Sequence, residues 1–164
     1  MQLLDQRQIK QKIERLAIEI LEHNLGEPEI ILAGINNNGL GFAKLLLKRL
    51  KKRTDIKLTL TQIRLKPANP IEQEVTIGLS NDQLKDKSVI IIDDVANTGR
   101  TIFYATKPLM NVLPKKVEVA VLVDRKHKSF PIKVDYWGLS LATTLKENID
   151  VNILNTKEQT VFLN

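Results

Sequence analysis

The sequence predicts an α/β fold in which helices flank a central, mostly parallel sheet. Two apolar runs, at residues 89–92 and 117–123, lack the alternation of half-exposed strands, and such runs are typical of parallel strands covered on both faces. Helix-period segments and turn clusters separate the apolar runs, and this alternation favours a parallel sheet. Neither an internal repeat nor a linker is found, so residues 1–164 are predicted to form one domain.

An amphipathic helix is predicted near the start of the chain, from Asp5 to Asn24. Gly26 and Pro28 then stop the helix. Residues 29–33 follow as a short buried strand. The apolar residues of the helix recur every three or four positions, as in a helix with one buried stripe, and they are Ile9, Ile13, Leu16, Ala17, Ile20 and Leu21.

The next segments are a turn, a second helix and a strand. Residues 34–41 are rich in glycine and asparagine, which tolerate positive φ, and are therefore predicted to be a turn cluster. Helical spacing resumes over residues 42–53. After residue 56 the apolar residues alternate with polar ones and then switch phase at Ile63, which predicts a strand with a bulge or a bend.

Two proline-containing stretches follow. Residues 67–81 contain two prolines and a glycine with little periodic pattern, and they are predicted to form a long surface excursion. Long loops in compact domains are often functional. Residues 101–113 have helical spacing, but Pro108 lies inside this stretch and is expected to kink or divide the helix.

Composition excludes several classes of protein. Hydrophobic residues make up 43% and charged residues 27%, which excludes a disordered or collagen-like chain. The absence of cysteine excludes disulfide scaffolds, thiolate zinc sites and cysteine nucleophiles, fits a reducing cytosol, and leaves oxygen ligands for any metal. No apolar run approaches the ~20 residues that span a bilayer, so we expect a soluble, cytoplasmic protein without a membrane partner. The net charge of +6 favours polyanions such as nucleotides or RNA.

Two adjacent carboxylates, Asp93 and Asp94, stand where the first of the two apolar runs ends. In open α/β sheets, ligands bind at this position. The backbone N–H groups of the following loop and the hydroxyls of Thr98 and Thr101 can hold a phosphate, and Gly99 permits its close approach. Two carboxylates beside a phosphate need hydroxyl donors or a divalent cation, which a sugar diol with Mg²⁺ supplies. The pattern predicts a phosphorylated sugar; the alternative is a strand followed by a capped helix.

The stretch from Val89 to Thr101 closely resembles the phosphoribosyl-diphosphate signature of the type I phosphoribosyltransferases, with its apolar run, two acidic residues and Thr-Gly-x-Thr. The segment from Val121 to Gly138 is similar to one found in the pyrimidine operon attenuator and uracil phosphoribosyltransferase family. There, that segment leads from a core strand to the nucleobase side of the site. The first helix and the turn at residues 34–39 fall in matching order, so the resemblance covers most of the chain.

The resemblance implies the type I phosphoribosyltransferase fold with a small hood, and a homodimer. It also implies Mg²⁺-dependent transfer of the 5-phosphoribosyl group from phosphoribosyl diphosphate to a pyrimidine base, with uracil as the expected acceptor and pyrophosphate as the product. Asp93 and Asp94 are expected to be catalytic, holding the ribose hydroxyls and the metal. The residues expected to hold the 5′-phosphate are Ala96, Asn97, Thr98, Gly99, Arg100 and Thr101.

Two departures from the family pattern concern the leaving group and the base. Asn36, Asn37, Asn38 and Gly39 occupy the place of the pyrophosphate loop, where related proteins usually carry cations, and this turn has none. Each lost charge-assisted bond to an anion removes roughly 1.5 to 3 kcal/mol, so weak or absent catalysis is an open alternative. Asn97 stands where 6-oxopurine enzymes carry an aspartate, which disfavours a hypoxanthine or guanine transferase.

Three further groups are candidates for the site or for a partner. Arg64 is the expected cation of the family's catalytic loop, with a solvated strand end as the alternative. Tyr136 and Trp137 could stack on a pyrimidine, with core packing as the alternative. The basic run at residues 48–53 could touch RNA phosphates or could be a solvated helix end. Two rival functions therefore stay open, an RNA-binding regulator with little or no turnover and a transferase for another base.

Overall fold

A six-stranded sheet forms the centre of the computed structural model, which describes residues 1–142 and 146–164. The strands lie in the order β4-β3-β2-β5-β6-β7, and all pairs are parallel except β4 with β3. This confirms the predicted mostly parallel sheet. The strands are β2 (Glu29–Ile35), β3 (Lys57–Arg64), β4 (Thr76–Ile77), β5 (Ser88–Ala96), β6 (Lys116–Arg125) and β7 (Tyr136–Leu141).

Helices lie between most of the parallel strands, and β6 is joined to β7 by a loop. The predicted first helix is confirmed: Asp5 caps it by accepting a hydrogen bond from the backbone N–H of Gln8 at 2.8 Å, and the Gln8 side chain accepts one from the backbone N–H of Asp5 at 2.9 Å. Pro108 divides the predicted helix at residues 101–113, because a proline interior to an α-helix removes a hydrogen bond. The helices are α1 (Gln6–Glu22), α2 (Asn36–Lys51), α3 (Asn81–Leu84), α4 (Arg100–Ala105) and a 3₁₀ helix (Lys107–Asn111).

The sheet is buried on both faces, as its unalternating apolar strands predict. On one face α1 and α2 pack against alternate residues of β5, including Ile90 and Ile92. On the other face α4 and the 3₁₀ helix cover Val89 and Ile91. Each face therefore has its own apolar core, and the polar ends of the strands are left for the two edges.

A small antiparallel sheet forms the hood that the family resemblance implies. It has the order β1-β9-β8, with β1 (Gln2–Leu4), β8 (Ile149–Asn152) and β9 (Thr160–Leu163). Ile153 and Val161 join the core on the side of α1 and α2. Leu154 packs directly on Gly41 of α2, where a Cβ atom would collide with the leucine side chain. The hood thus packs on α2 at a glycine, where a larger residue would force the Leu154 side chain to move.

Two local predictions are wrong. The turn cluster at residues 34–41 is a strand end followed at Asn36 by the first turn of α2, because Asn36 adopts a left-handed φ of +49° and lets the helix begin at once. Of the bulge or bend expected near Ile63, the bulge is absent, since β3 pairs with β2 in continuous register from Lys57 to Ile63. The phase switch arises because Leu58 packs against one core and Ile63 against the other.

Residues 67–81 are mostly loop, as predicted, but they include β4, which pairs Ile77 with Ile63 and Thr76 with Arg64. Within the described residues, no helix combines the length and the apolar character needed to cross a membrane.

Candidate active site

The main cleft lies at the carboxyl edge of the sheet, between β2 and β5. These parallel strands are neighbours, and the chain continues from β2 to one side of the sheet and from β5 to the other, so the cleft lies at the topological switch point. Its volume is about 470 Å³, within the range of small-molecule sites. Its lining residues are Ile35, Asn36, Asn37, Asn38, Pro67, Asp93, Asp94, Val95, Asn97, Thr101 and Ile149.

Asp93 and Asp94 form the acidic floor of this cleft at the end of β5. Asp93 is only 9% exposed, and burial raises its pKa well above the ordinary aspartate value, with repulsion from Asp94 as the second cause. Burial also raises the pKa of Asp94. One oxygen of each carboxylate accepts a backbone N–H, from Asp94 and from Val95, both at 2.9 Å. In the described part of the chain, no ion pair compensates either carboxylate.

The cleft offers two carboxylates, which suits a Mg²⁺ ion that also binds water and substrate. It does not suit a metal coordinated by protein ligands alone. No group of three or more metal-ligating side chains occurs among the described residues, so the two aspartates are the carboxylate ligands available here. Mg²⁺ usually binds through one or two carboxylates together with waters and substrate phosphates. A divalent cation would also favour the ionised form of both buried aspartates, which the protein itself disfavours.

The loop at residues 96–101 encloses a second, smaller cavity of about 50 Å³, which has room for one tetrahedral anion. Gly99 has a φ of +87°, and a Cβ atom there would lie 2.7 Å from Cγ1 of Ile132. The segment after β6 braces the loop, since the backbone N–H groups of Ser129 and Phe130 donate to the carbonyl of Thr98 at 2.9 and 3.2 Å. The residues predicted to hold the phosphate therefore form one turn around this cavity, and we call the turn the N–H cradle because the backbone N–H groups of such a turn can bind an anion.

The start of α2 forms the opposite wall, and its backbone is tightly packed. A Cβ atom on Gly39 would lie 2.5 Å from the carbonyl oxygen of Ile92, and one on Gly34 would collide with the backbone of Leu40. Asn37 and Asn38 are exposed at the cleft, at the amino end of a 16-residue helix whose dipole favours anions. Gly39 itself is buried behind this wall and does not line the cleft.

The structure brings together most of the predicted site residues. The main cleft contains the three asparagines, the two aspartates, Asn97 and Thr101, while the small cavity contains residues 96–101. Asn97 lines both cavities and also a third of about 290 Å³, which is shared with Arg125 and residues 147–150. The structure does not place Arg64 in the cleft lining; its exposed side chain extends from the end of β3.

The structure does not bring Tyr136 and Trp137, the two rings expected to stack on a pyrimidine, to the described lining of the cleft. Both lie at the start of β7, two strands away from β5, where they pair with residues 120–121 of β6. Tyr136 is buried: its hydroxyl donates to Glu118 at 2.9 Å, and its ring packs edge-on against His23. Trp137 is 48% exposed. The alternative reading, core packing, describes Tyr136 correctly.

Sequence reasoning missed the contributions of two further segments that line the cleft. Pro67 lines it from the loop after β3, and Ile149 from the hood. Arg125 is buried, and its guanidinium donates to the carbonyl of Glu147, which ties the end of β6 to the hood. Arg125 begins a basic run, residues 125–128, which is a partial signal for it, and the long loop predicted at residues 67–81 is a partial signal for Pro67. Nothing in the sequence near Ile149 indicates a binding site.

Comparison with known proteins identifies what this chain resembles. The model of the phosphoribosyl transferase domain family matches residues 1–154. The chain is 35% identical to the bifunctional protein PyrR of Streptococcus suis over 166 residues, covering 99% of this chain and 95% of that protein. It is 36% identical over 172 residues to the bifunctional protein PyrR of Alkaliphilus metalliredigens, with 98% and 93% covered.

Solved structures agree in fold. A hypoxanthine-guanine phosphoribosyltransferase from Bacillus anthracis has a TM-score of 0.70 at 20% identity, covering 85% of this chain and 81% of that one. A hypoxanthine phosphoribosyltransferase from Staphylococcus aureus has a TM-score of 0.71 at 23% identity, covering 88% and 79%. At these identities the likeness shows a shared fold and no more.

Proposed function

The chain belongs to the phosphoribosyl transferase domain family, and from that premise we propose that it transfers the 5-phosphoribosyl group of phosphoribosyl diphosphate to a pyrimidine base, with uracil as the acceptor. Pyrophosphate is the second product. One observation carries the proposal: the paired carboxylates of β5 adjoin the N–H cradle at residues 96–101, at the switch point of the sheet. In a sugar phosphate, the hydroxyls can donate to the carboxylates and the phosphate can accept from the N–H cradle.

Each part of the donor has a place in this arrangement. The cradle and the hydroxyls of Thr98 and Thr101 hold the 5′-phosphate, while Asp93 and Asp94 accept hydrogen bonds from the ribose hydroxyls. When bound through these two aspartates, Mg²⁺ neutralises charge on the diphosphate. The start of α2, on the opposite wall, faces the departing pyrophosphate.

The reaction exchanges one bond for another at the first carbon of the ribose. The bond to the diphosphate oxygen breaks and its electron pair leaves with pyrophosphate; a ring nitrogen of uracil supplies the pair for the new bond and loses its proton to water. Positive charge builds on the sugar while negative charge builds on the leaving group. Lysine and arginine are absent from the described lining of the cleft, so positioning by the walls carries most of the rate enhancement.

The third cavity, lined by Asn97, Arg125 and residues 147–150, is the place we assign to the base. It adjoins the main cleft through Asn97, whose neutral amide offers both a donor and an acceptor. An imide such as uracil has the complementary groups. Residues 1–164 work as one unit in this proposal, because the hood packs into the core and supplies part of this cavity.

The test is release of pyrophosphate from phosphoribosyl diphosphate and Mg²⁺, assayed with a panel of pyrimidine and purine bases. We expect release with uracil, and a fall of roughly a hundredfold or more in Asp94→Asn, because a ligand of the sugar and metal is lost. The matched control is Asp55→Asn, which removes an exposed carboxylate outside the cleft lining. Release with purines alone would refute the pyrimidine assignment, and no release with any base would refute the transfer.

A second function, RNA binding, is favoured by one further observation. A cavity of about 240 Å³ between α1, α2 and the turn before β9 is lined by four cations and no carboxylate. The cations are Lys10, Lys48, Arg49 and Lys157. Arg49 pairs with Glu14, but no ion pair of the other three occurs among the described residues. The basic run of residues 48–53 continues this surface at the end of α2.

We therefore propose that this basic surface binds RNA phosphates, as a regulator that senses the nucleotide state of the cleft. Affinity for a pyrimidine-gene leader RNA should fall steeply with salt, and the charge-removing pair Lys48→Gln and Lys157→Gln should reduce the salt slope by up to about two. The matched control is Lys85→Gln, an exposed lysine outside the cavity lining. An unchanged slope would show that RNA, if bound, contacts another surface.

We also propose a cytoplasmic homodimer, on the strength of the family resemblance and the absence of cysteine. Sedimentation equilibrium would test the dimer directly, and a single species at the mass of one chain would refute it.

A further inference from the structure

Both polar atoms of the Asn36 side chain bind a residue 29 positions away. Its Oδ1 accepts a hydrogen bond from the backbone N–H of Leu65 at 3.1 Å, and its Nδ2 donates to the carbonyl of Leu65 at 3.0 Å. This two-point pairing resembles one rung of a sheet ladder, made by a side chain in place of a strand. It joins the first turn of α2 to the chain just after β3.

A second side chain holds the same segment from the other wall of the cleft. Nη2 of Arg100, the first residue of α4, donates to the carbonyl of Pro67 at 2.8 Å. Pro67 lines the main cleft. The ion pair of Lys66 with Glu72, at 3.0 Å, stays inside the loop and does not tie it to the body of the protein. Residues 65–67 are therefore attached to both of the turns that face the donor's charged ends.

The backbone of Asn36 is consistent with a dedicated role. Its φ of +49° lies in the left-handed region, which asparagine tolerates better than most residues at a cost of about 1 kcal/mol. With both ends of its amide bound to Leu65, the side chain is held in one orientation, and one of its two Nδ2 hydrogens points away from the pair. The role predicted from the sequence, direct binding of the leaving group, is therefore the alternative that the experiment must separate from positioning.

We infer that Asn36 is a positioning residue that, together with Arg100, clamps residues 65–67 as a fixed wall of the cleft. The inference rests on the proposed function for its kinetic consequences, but the clamp itself is a property of the chain. Because each half of the clamp belongs to a different anion-facing turn, the wall keeps its place only when both turns have their catalytic arrangement. A fixed wall restricts the donor to the geometry in which the bond to pyrophosphate can break.

The variant that isolates the clamp is Asn36→Gly, since glycine keeps the left-handed backbone and removes only the side chain. We expect hydrogen exchange at the Leu65 amide to speed up roughly tenfold or more, because its acceptor is lost. We expect kcat for pyrophosphate release to fall roughly tenfold or more, with KM for phosphoribosyl diphosphate changing less than about twofold. The conservative variant Asn36→Asp keeps the acceptor and should restore most of the Leu65 protection.

The matched control is Asn155→Gly, which makes the same change at a left-handed asparagine outside the cleft lining, with a φ of +51°. It should leave Leu65 exchange and both kinetic constants at their wild-type values. A matching loss in the control would assign the effect to general destabilisation and overturn the inference.

Two other outcomes would overturn it. If Asn36→Gly keeps Leu65 protected and raises KM for the donor, or the Kd of Mg²⁺-pyrophosphate, about tenfold, Asn36 is an anion ligand. If protection and kcat are both unchanged, there is no clamp. If the wild-type protein releases no pyrophosphate at all, the proposed transfer fails, while the exchange measurement alone still supports or refutes the clamp.

Discussion

The two edges of the central sheet both bury carboxylates, but they treat them in opposite ways. Glu29 at the amino edge and Asp93 at the carboxyl edge are each 9% exposed. Glu29 is covered at the rim by lysine side chains, and its pKa is lowered, chiefly by the hydrogen bond from Thr59 and then by Lys87 and Lys57. Asp93 lies deeper, and its pKa is raised by burial and by Asp94.

The amino edge is rich in partnered charges. Glu27 pairs with Lys115 at 2.6 Å, and Glu118 pairs with Lys116 at 3.3 Å and accepts a hydrogen bond from Tyr136. At the carboxyl edge the polar groups face a cleft, and the described chain provides no cation for the aspartates. The carboxylates of the amino edge thus have cationic partners within the chain, whereas the two aspartates, which we propose bind the donor and Mg²⁺, have none among the described residues.

The largest expected effect comes from replacing one glycine at each edge of the sheet. Gly99 and Gly26 both have positive φ, +87° and +79°, but a Cβ atom would meet Ile132 at the first and nothing at the second. Alanine at either position should lower the free energy of unfolding by about 1 kcal/mol through backbone strain. Only Gly99→Ala should also raise the Kd for phosphoribosyl diphosphate, by roughly tenfold or more, since the N–H cradle is displaced. Calorimetric titration checks this; equal Kd values for both variants would contradict the cradle.

The next prediction concerns replacement of the carboxylates of Asp93 and Glu29 by neutral amides. At neutral pH, Asp93→Asn should raise the free energy of unfolding of the ligand-free protein by roughly 1 to 3 kcal/mol, because a buried charge without a partner is removed. Glu29→Gln should lower it by roughly 1 to 2 kcal/mol, because a partnered charge is lost. Urea denaturation of both variants measures the difference. A loss of stability in Asp93→Asn would show that its charge is already compensated.

The pH dependence should follow from the same two groups. The pKa of Asp93 is raised, so its stabilising contribution is complete below the unfolded aspartate pKa of about 4 and is lost as pH rises through the folded value. The pKa of Glu29 is lowered, so its contribution is present above the ordinary glutamate value and is lost on acidification. In Glu29→Gln, stability should therefore decline from about pH 4 upwards, and excess Mg²⁺ should flatten that decline. A decline that persists in the double variant with Asp93→Asn would have another origin.

The smallest effect is expected at Tyr136. Burial and Glu118 raise the pKa of its phenol, which therefore remains a proton donor to Glu118 across the usual pH range. Tyr136→Phe should lower the free energy of unfolding by about 1 kcal/mol through the loss of that hydrogen bond, with no change in kcat or KM. Thermal denaturation and the pyrophosphate assay measure the two parts. A rise in KM for uracil would contradict this and indicate that Tyr136 contacts the base.

Much of the fold follows from patterns among residues that are close together in the sequence. The helix of residues 6–22, the strands containing Val89–Ile92 and Val117–Val123 and the division at Pro108 all match the prediction, because periodicity and proline geometry act locally. The start of α2 was missed, because asparagine and glycine suit a turn and a left-handed helix start equally well. Only the packing of Gly34 and Gly39 against Leu40 and Ile92 distinguishes the two.

By itself, the sequence determined the class of sheet and the position of the acidic strand end with the turn that follows it, because both are contiguous in the chain. The tertiary structure decided which polar side chains have partners: Asn36 binds Leu65, Tyr136 binds Glu118, and Asp93 faces a cleft. The physical reason is that burial and pairing depend on which strands and loops are neighbours, and residues far apart in sequence carry no local signal of that proximity.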